Sequence, residues 1–313
     1  MKIAVLGAGA WGTALAMQIS QKHQVTLWAR NAGHVSGMRK ARSNPLYLGD
    51  FPFNDQLMLE DNLEEAIRDA ELILSVVPTS GFRAILKEIK SLNHKAPVIW
   101  ANKGLEAGTA KLPHEVAIEE LGDPKKTGQH WGALSGPSFA AELVRSLPTA
   151  LTLAATDEAF TQSLASIIHG NNLRVYTSQD VIGVSVGGAL KNVIAIAAGI
   201  SDGMGFGNNA RAALITRGLA EITRLGVAMG VALGRAWGQG RYHVVDPSSV
   251  RASTQLGETW GLLSKGLSSQ APSYSQVFSS RSPGSALMPG CHPASVDRLD
   301  WLLPIFCCDA QLV

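Results

Sequence analysis

A short glycine-rich segment near the N-terminus constrains the fold more than any other part of this sequence. Residues 7–12 read GAGAWG and directly follow the apolar run Ile3–Leu6. In a GxGxxG segment between a strand and a helix, the first glycine (Gly7) permits a tight turn. The second (Gly9) lets the backbone approach a pyrophosphate, and the third (Gly12) lets helix and strand pack closely. The segment therefore predicts a strand–turn–helix unit that binds a dinucleotide, with an ordinary glycine-rich turn as the alternative.

The first 180 residues alternate short apolar runs with helical stretches. Short, nearly all-apolar runs are typical of parallel strands that are covered by helices on both faces. From Val181 the strand signals stop, and the sequence predicts two helices, Val181–Ile200 and Ala210–Met229. We therefore predict an α/β protein whose doubly wound, mostly parallel sheet occupies a dinucleotide-binding domain of residues 1–180. A helical portion of a second domain follows over residues 181–230.

The end of the second predicted strand bears on the choice of dinucleotide. An NAD site usually places Asp or Glu there to bind the ribose hydroxyls, whereas this chain has Arg30 after Val25–Ala29. A guanidinium group can bind a 2′-phosphate with two hydrogen bonds. We therefore expect NADP(H) to be preferred and NAD(H) to be accepted. The alternative is that Arg30 is a solvated surface residue.

Lys191 is the only charged residue between Asp180 and Asp202, in a stretch rich in glycine and alanine. The stretch is long enough for a bilayer, but a central charge costs about 2.5–3.5 kcal/mol on insertion scales. We therefore predict a buried helix of a soluble protein and no membrane span. Burial lowers the pKa of a lysine and suits it to general acid–base catalysis near neutral pH. The alternatives are a lysine that extends to solvent and a structural ion pair.

Two loops follow later strands at the sheet edge where ligands bind in such folds. Lys103 follows the predicted strand Val98–Ala101, where it can contact a phosphate or the reacting oxygen. We also expect its charge to lower the pKa of Lys191. The next loop, Ser135–Ala140, contains Ser138, a candidate cap of the following helix. A plain turn is the alternative for each loop.

Composition excludes several classes of protein. A formal net charge of +2 lacks the excess of basic residues that a general nucleic-acid binder needs. The three cysteines form no paired framework, so we expect a reducing cytoplasm. The His and Cys residues lack the spacing of a metal site, and we predict no metal. The N-terminal apolar run is too short for a signal peptide.

Taken in order, these motifs resemble the bacterial NAD(P)-dependent glycerol-3-phosphate dehydrogenases. The resemblance runs from Met1 to about Gly230. It rests on six segments, which are Gly7–Ala16, Ala101–Glu106, Ser135–Glu142, Leu147–Ala150, Gly187–Ile196 and Asn209–Glu221. It implies a Rossmann-type domain followed by a helical substrate domain. It also implies interconversion of dihydroxyacetone phosphate and sn-glycerol 3-phosphate for glycerophospholipid synthesis, and it leaves a homodimer open.

The resemblance also implies roles for individual residues. Lys191 would be the general acid/base and contact the substrate, and Lys103 would contact both the substrate and the dinucleotide. Gly136 and Ser138 would hold the substrate. The residues expected along the dinucleotide are Gly7, Gly9, Ala10, Trp11, Gly12, Arg30, Lys103 and Ala140. The family often has Ser at position 10, so Ala10 would offer only its backbone amide.

The chain departs from the family after Gly230. The family has a Gly-x-Gly-Asp segment there and then a Ser-Arg-Asn segment that binds the substrate phosphate and the dinucleotide, and neither follows here. Serine becomes frequent between Ser248 and Ser285, and prolines interrupt any long helix. We therefore expect residues 231–313 to be an atypical, poorly packed tail, either disordered or encoded in a shifted reading frame. The helical substrate domain is then incomplete.

Two other functions stay open from the sequence alone. The first is a dinucleotide-binding remnant with little or no turnover, because the phosphate-binding motifs of the tail are missing. The second is a dehydrogenase of hydroxy acids or sugar acids, since those enzymes also place a lysine on a helix after the Rossmann domain. The glycerol-3-phosphate dehydrogenase is the favoured prediction.

Overall fold

The computed structural model of this chain describes residues 1–136, 138–170 and 172–229. The expected atypical tail, residues 231–313, lies outside the described residues. The strands are β1 (Lys2–Leu6), β2 (Gln24–Trp28), β3 (Leu57–Glu60), β4 (Leu72–Ser75), β5 (Val98–Trp100), β6 (Trp131–Ser135), β7 (Thr149–Ala155) and β8 (Leu173–Ser178). The helices are α1 (Ala10–Ile19), α2 (Ala32–Ala41), α3 (Leu63–Ile67), α4 (Thr79–Ser91), α5 (Pro113–Leu121), α6 (Pro124–Thr127), α7 (Ala140–Val144), α8 (Glu158–Ile168), α9 (Val181–Gly203) and α10 (Gly207–Ala228).

The eight strands form a single sheet in the order β3-β2-β1-β4-β5-β6-β7-β8. Every neighbouring pair is parallel except β6 and β7, which are antiparallel. The prediction of a doubly wound, mostly parallel sheet is therefore confirmed. From β1 the chain first continues to β2 and β3 on one side and then crosses to β4 on the other, so the order reverses between β1 and β4. In such sheets, ligands bind in the crevice beyond the carboxyl ends of the strands at this reversal.

The sheet is buried on both faces, as its apolar strands predict. Along β1, Ile3 and Val5 belong to one core with residues of α1 and α8, whereas Ala4 and Leu6 belong to a second core with α4 and α5. Successive side chains of a strand point to opposite faces, so the inner strands β1, β2 and β4–β7 contribute to both cores, whereas the edge strands β3 and β8 contribute to the first alone. Burying one such aliphatic side chain contributes roughly 1.5–3 kcal/mol. The two cores hold the strand ends, and hence the loops between them, in fixed positions.

The structure contains elements that the sequence did not predict, β3 and α3 among them. β3 has only four residues and lies at the edge of the sheet, with Leu57 and Leu59 buried but Met58 exposed. This alternation differs from the continuous apolar runs of the inner strands. α3 follows directly and is capped by the side chain of Asn62, which accepts a hydrogen bond from the Glu65 amide. Both are too short to produce a clear period.

The long helix α9 connects the sheet to the last described helix. Asp180 caps its N-terminus by accepting a hydrogen bond from the Gly183 amide, at 2.8 Å. By length and composition α9 would suffice to cross a membrane, yet 61% of its most apolar window is buried inside the structure. This burial agrees with the predicted core helix. Val181 and Val184 pack in the same core as Trp100, so the start of α9 packs against the sheet. The domain boundary at residue 180 stays a prediction.

Candidate functional site

Two glycines of the loop after β1 are required by the protein's own packing. Gly7 has a φ of +120°, and a Cβ there would lie 2.8 Å from the carbonyl oxygen of Val76. A Cβ on Gly12 would collide with the Gly7 carbonyl oxygen. The Gly7 amide donates to the Trp28 carbonyl at 2.9 Å. These contacts hold the turn tightly between β1, β2 and the start of α1.

Gly9 differs from its two neighbours in the motif. It is the N-cap of α1 in an ordinary extended conformation, and among the described residues nothing lies within 4 Å of a Cβ built there. Packing within the described chain therefore gives no reason for a glycine at this position. A bound group that approaches the backbone closely would explain why glycine is needed here. The first amides of α1 have no partners within the helix and favour an anion. The loop thus fits the pyrophosphate of a dinucleotide.

A buried asparagine that the sequence analysis did not identify supports this loop from below. Asn44 is fully buried, and its Nδ2 donates to the Ala8 carbonyl at 3.0 Å and to Thr13 Oγ1 at 2.8 Å. Its Oδ1 lies 3.0 Å from His34 Nε2. Asn44 lies in the long connection between α2 and β3, and no motif marks it. Only the folded chain brings this amide under the glycine loop.

Arg30 lies two residues beyond the end of β2, the strand that pairs with β1 beside the glycine loop. Its side chain is exposed, and no hydrogen bond or ion pair to its guanidinium is found in the described part of the chain. The position is compatible with binding a 2′-phosphate and with a solvated surface residue. The contact of Arg30 with a 2′-phosphate therefore stays a prediction.

Trp11 connects the glycine loop to the loop after β6. Its indole Nε1 donates to Ser138 Oγ at 2.7 Å. Ser138 was expected to cap the next helix, but this prediction is wrong: Phe139 is the N-cap of α7 and makes no side-chain cap. The Ser138 hydroxyl is engaged by the tryptophan instead. Ala140 begins α7 and packs, half-buried, against the core that contains α1.

Lys103 lies in the crevice beyond the carboxyl end of β5. Its carbonyl oxygen accepts a hydrogen bond from Thr79 Oγ1 at 3.0 Å, and its Nζ lies 5.9 Å from the centroid of the Trp11 ring. A cation over an indole face is attracted by the ring. Burial, and secondarily the charge of Lys191, lower the pKa of Lys103 to about 8. The group therefore changes charge in a range close to neutral pH.

Lys191 approaches the same region from α9. Its Nζ donates to the Gly136 carbonyl at 3.3 Å, and burial lowers its pKa. One turn earlier, a Cβ on Gly188 would lie 3.5 Å from Lys103 Cγ, so α9 packs closely against that lysine. The charge of Lys191 adds to burial in lowering the pKa of Lys103, and burial lowers the pKa of Lys191. The expected effect of Lys103 on the pKa of Lys191 stays a prediction.

The two lysines make the crevice electropositive. Within the described residues, neither ammonium group forms a salt bridge with a carboxylate. Buried charges are usually paired, and an anionic ligand in the crevice would supply the missing partner. Gly136 and Ser138 border the same space through their contacts with Lys191 and Trp11. The arrangement suits a small anion with a polar reacting group beside a bound dinucleotide.

Comparisons with known proteins agree with this geometry. The family model described as NAD-dependent glycerol-3-phosphate dehydrogenase N-terminus matches residues 2–161, and the corresponding C-terminus model matches residues 180–239. The glycerol-3-phosphate dehydrogenase [NAD(P)+] of Methylobacillus flagellatus is 68% identical over 230 residues, which cover 74% of this chain and 69% of that protein. The Nitrosomonas eutropha protein of the same name is 58% identical over 230 residues, with the same coverage of 74% and 69%.

A solved structure shares the architecture as well. The crystal structure of glycerol-3-phosphate dehydrogenase from Coxiella burnetii matches with a TM-score of 0.73 at 37% identity, covering 85% of this chain and 84% of that one. The family models cover strands β1–β7 and helix α9, which carries Lys191. Sequence, fold and site geometry lead to one assignment. The chain belongs to the NAD-dependent glycerol-3-phosphate dehydrogenase family.

Proposed function

We propose that this chain interconverts dihydroxyacetone phosphate and sn-glycerol 3-phosphate with a nicotinamide dinucleotide, NADP(H) preferred and NAD(H) accepted. The observation that carries the proposal is the convergence of Lys103 and Lys191 beside the glycine loop. Two partly buried amines without a carboxylate partner in the described residues recognise a phosphorylated substrate better than a neutral one. Trp11 belongs to the glycine motif and contacts both Ser138 and the ammonium of Lys103. It therefore joins the proposed dinucleotide-binding loop to the proposed substrate-binding residues.

The dinucleotide fits the residues that would hold it. Gly7, Gly9 and Gly12 form the loop at the start of α1, Ala10 and Trp11 offer backbone amides there, and Arg30 lies beyond the neighbouring strand. The chemistry that a bound reduced nicotinamide supplies is a hydride for the ketone carbon of the substrate. The protein must supply the proton for the ketone oxygen and hold the phosphate.

Lys191 is the proposed general acid/base. In reduction, its ammonium group gives a proton to the oxygen that becomes the alcohol, and the neutral amine then regains a proton from solvent. In oxidation, the neutral amine takes the proton of the alcohol. Its pKa is lowered by burial, which makes the ammonium a stronger acid than a solvated lysine. The Gly136 carbonyl accepts a hydrogen bond from Nζ and orients it.

Lys103 and the loop of Ser138 are proposed to bind the substrate. The ammonium of Lys103 stabilises the substrate's negative charge, and Ser138 adds a hydroxyl that Trp11 holds in place. Ala140, at the start of α7, borders the dinucleotide.

The remnant without turnover is not favoured, because the family match continues past the sheet into residues 180–239. The division into domains at residue 180, a cytoplasmic location and a homodimer stay predictions.

The proposal is tested on the full chain by following NADPH absorbance with dihydroxyacetone phosphate. Lys191→Ala should lower turnover by about 10²–10⁴-fold, the usual scale of general acid–base catalysis. Lys191→Arg should be similarly inactive, because a guanidinium keeps the positive charge but does not release a proton at neutral pH. NADPH binding, measured by fluorescence, should survive both changes because the glycine loop is separate from α9.

Lys125→Met, on the exposed surface of α6, is the matched control and should turn over like the wild type. A wild-type chain that consumes no NADPH with this substrate would contradict the proposed function. Full activity of Lys191→Ala would remove the acid/base role from that lysine.

The dinucleotide preference rests on Arg30. Arg30→Asp should weaken NADPH binding by about 10-fold or more, since the 2′-phosphate loses a charge-assisted hydrogen bond and gains a repulsive carboxylate. NADH binding should improve or stay level. Dissociation constants of both dinucleotides, measured for the wild type and the variant, decide the matter. Equal affinities for NADPH and NADH before and after the change would rule out this role of Arg30.

A further inference from the structure

The loop that carries Lys103 is attached to one face of helix α4. We call residues 101–112 the Lys103 loop. Thr79 and Arg83 are four residues apart on α4, so they lie on the same face of the helix, one above the other. Thr79 Oγ1 donates to the Lys103 carbonyl at 3.0 Å, and Arg83 binds Glu106, three residues further along the loop. One helix face thus holds the loop at two points.

The contact between Arg83 and Glu106 has the geometry of a strong ion pair. Arg83 Nε lies 2.7 Å from one carboxylate oxygen of Glu106, and Arg83 Nη2 lies 2.7 Å from the other. Their side chains are only 23% and 14% exposed, so solvent screens the pair less than a surface pair. Thr109 Oγ1 also donates to the Glu106 carboxylate at 2.6 Å. These bonds, chiefly the one from Arg83, lower the pKa of Glu106 to about 2.

Arg83 is itself held from the opposite side. Its Nη1 forms ion pairs with Glu119, at 2.8 Å, and with Glu120, both on α5. The guanidinium therefore joins α4, α5 and the Lys103 loop. A planar fork with five donors makes such contacts simultaneously, which an ammonium group does not.

The Lys103 loop needs external contacts to define its position. It contains no strand and no helix, and its backbone has positive φ angles at Gly104, Gly108 and Ala110. It carries a partly buried ammonium that is repelled by Lys191 and that would gain hydration by moving outward. A contact that restrains the loop must oppose this outward movement of Lys103. Helix α4 provides such a contact through Arg83 and the Glu106 side chain.

We propose that Arg83 is a positioning residue, which holds Lys103 in the crevice through its bidentate contact with Glu106. Arg83 acts through Glu106 and the loop backbone and does not touch the substrate in this arrangement. The inference rests on the proposed function only in that Lys103 binds the substrate. The claim about the position of Lys103 stands on the contacts themselves.

The experiment uses Arg83→Met and Glu106→Gln in the full chain. Competitive acetylation over a pH series, followed by peptide mass spectrometry, reports the apparent pKa of the Lys103 amine without any need for turnover. We expect this pKa to rise by about one unit or more in both variants, towards the value of a solvated lysine. We also expect kcat/KM for dihydroxyacetone phosphate to fall about 10-fold, and NADPH affinity to fall less than that, because the glycine loop is unchanged.

Arg68→Met is the matched control, because it breaks the exposed ion pair of Arg68 with Glu65 on α3. An apparent pKa of Lys103 that is the same in Arg83→Met, Glu106→Gln and Arg68→Met would overturn the inference. If Arg83→Met does not fold, the isosteric Glu106→Gln decides alone. A wild-type chain without turnover would refute the proposed function, while the acetylation result would still decide the role of Arg83.

Discussion

The glycine loop and the lysine crevice border the same space but are built in different ways. The glycine loop is one continuous segment whose shape follows from backbone geometry at Gly7 and Gly12. The crevice combines Lys103, which follows β5, with Lys191 on α9 and the carbonyl of Gly136 after β6. Its two charges are brought together against their mutual repulsion. The first site is therefore specified locally, and the second depends on packing between distant segments.

This difference separates the effects of mutations in the two regions. In the glycine loop, steric contacts decide whether a side chain is tolerated, so stability and binding can be lost independently. In the crevice, each lysine costs folding stability because burial removes its hydration, and the same burial lowers its pKa, which at Lys191 suits the proposed acid/base role. Stability and function therefore oppose each other at Lys103.

The largest expected effect is a difference in stability between alanine variants of Gly7 and Gly9, two glycines of the same loop. Gly7→Ala should destabilise the chain by about 2–4 kcal/mol, because Ala is strained at a φ of +120° and its Cβ would meet the Val76 carbonyl. Gly9→Ala should change stability by less than about 0.5 kcal/mol yet weaken NADPH binding about 10-fold or more. Urea denaturation and dinucleotide titration measure the two quantities.

Gly37→Ala, in the exposed middle of α2, serves as the control for both measurements. If Gly9→Ala destabilised the fold as much as Gly7→Ala, the assignment of Gly9 to ligand contact alone would fail.

The next effect concerns the stability cost of Lys103. Because the pKa of Lys103 is about 8 in the folded chain and 10.5 for the free side chain, the unfolded chain binds more protons between these values. Wild-type stability should therefore rise with pH from about 8 to 10.5, and the cost of the buried charge is fully present below pH 8. Lys103→Met should stabilise the chain by about 1–3 kcal/mol at pH 7, with the gain shrinking as pH rises to 10.5.

Denaturation at several pH values, with Lys125→Met as the reference, checks this expectation. A gain for Lys103→Met that does not depend on pH would mean that packing, and not the buried charge, is its cause.

The smallest effect tests the link between the two regions. Trp11→Phe keeps an aromatic ring beneath Lys103 but removes the hydrogen bond to Ser138 Oγ, which is worth about 1 kcal/mol. We expect KM for dihydroxyacetone phosphate to rise about fivefold. Ser138→Ala should have a similar effect, and the double variant should add little to either, because both remove one interaction. Fully additive effects would show that the two side chains act separately.

Much of the fold could be predicted from the sequence because its signals are local. The apolar runs, the glycine motif and the change of pattern at Val181 all arise within short windows. β3 was missed because an edge strand buries only alternate residues, and the antiparallel placement of β7 leaves no mark in its own sequence.

The candidate site was predictable only in part. Lys103 and Lys191 were identified from their positions after a strand and on an apolar helix. The contacts of Asn44 with Ala8 and Thr13, and of Arg83 with Glu106, join residues far apart in the chain. Nothing in their neighbouring sequence distinguishes such residues from ordinary polar ones.

The sequence by itself determined where the chain turns, which residues are apolar enough to be buried, and that Lys191 lacks charged neighbours along the chain. Backbone sterics and hydrophobic burial act on each segment almost independently of the rest, which is why these features could be read directly. The tertiary structure alone decided that burial and the charge of Lys191 lower the pKa of Lys103, because both depend on how closely α9 packs against Lys103. Coulomb repulsion and loss of hydration are set by distance and burial, and both exist only once the distant segments have come together.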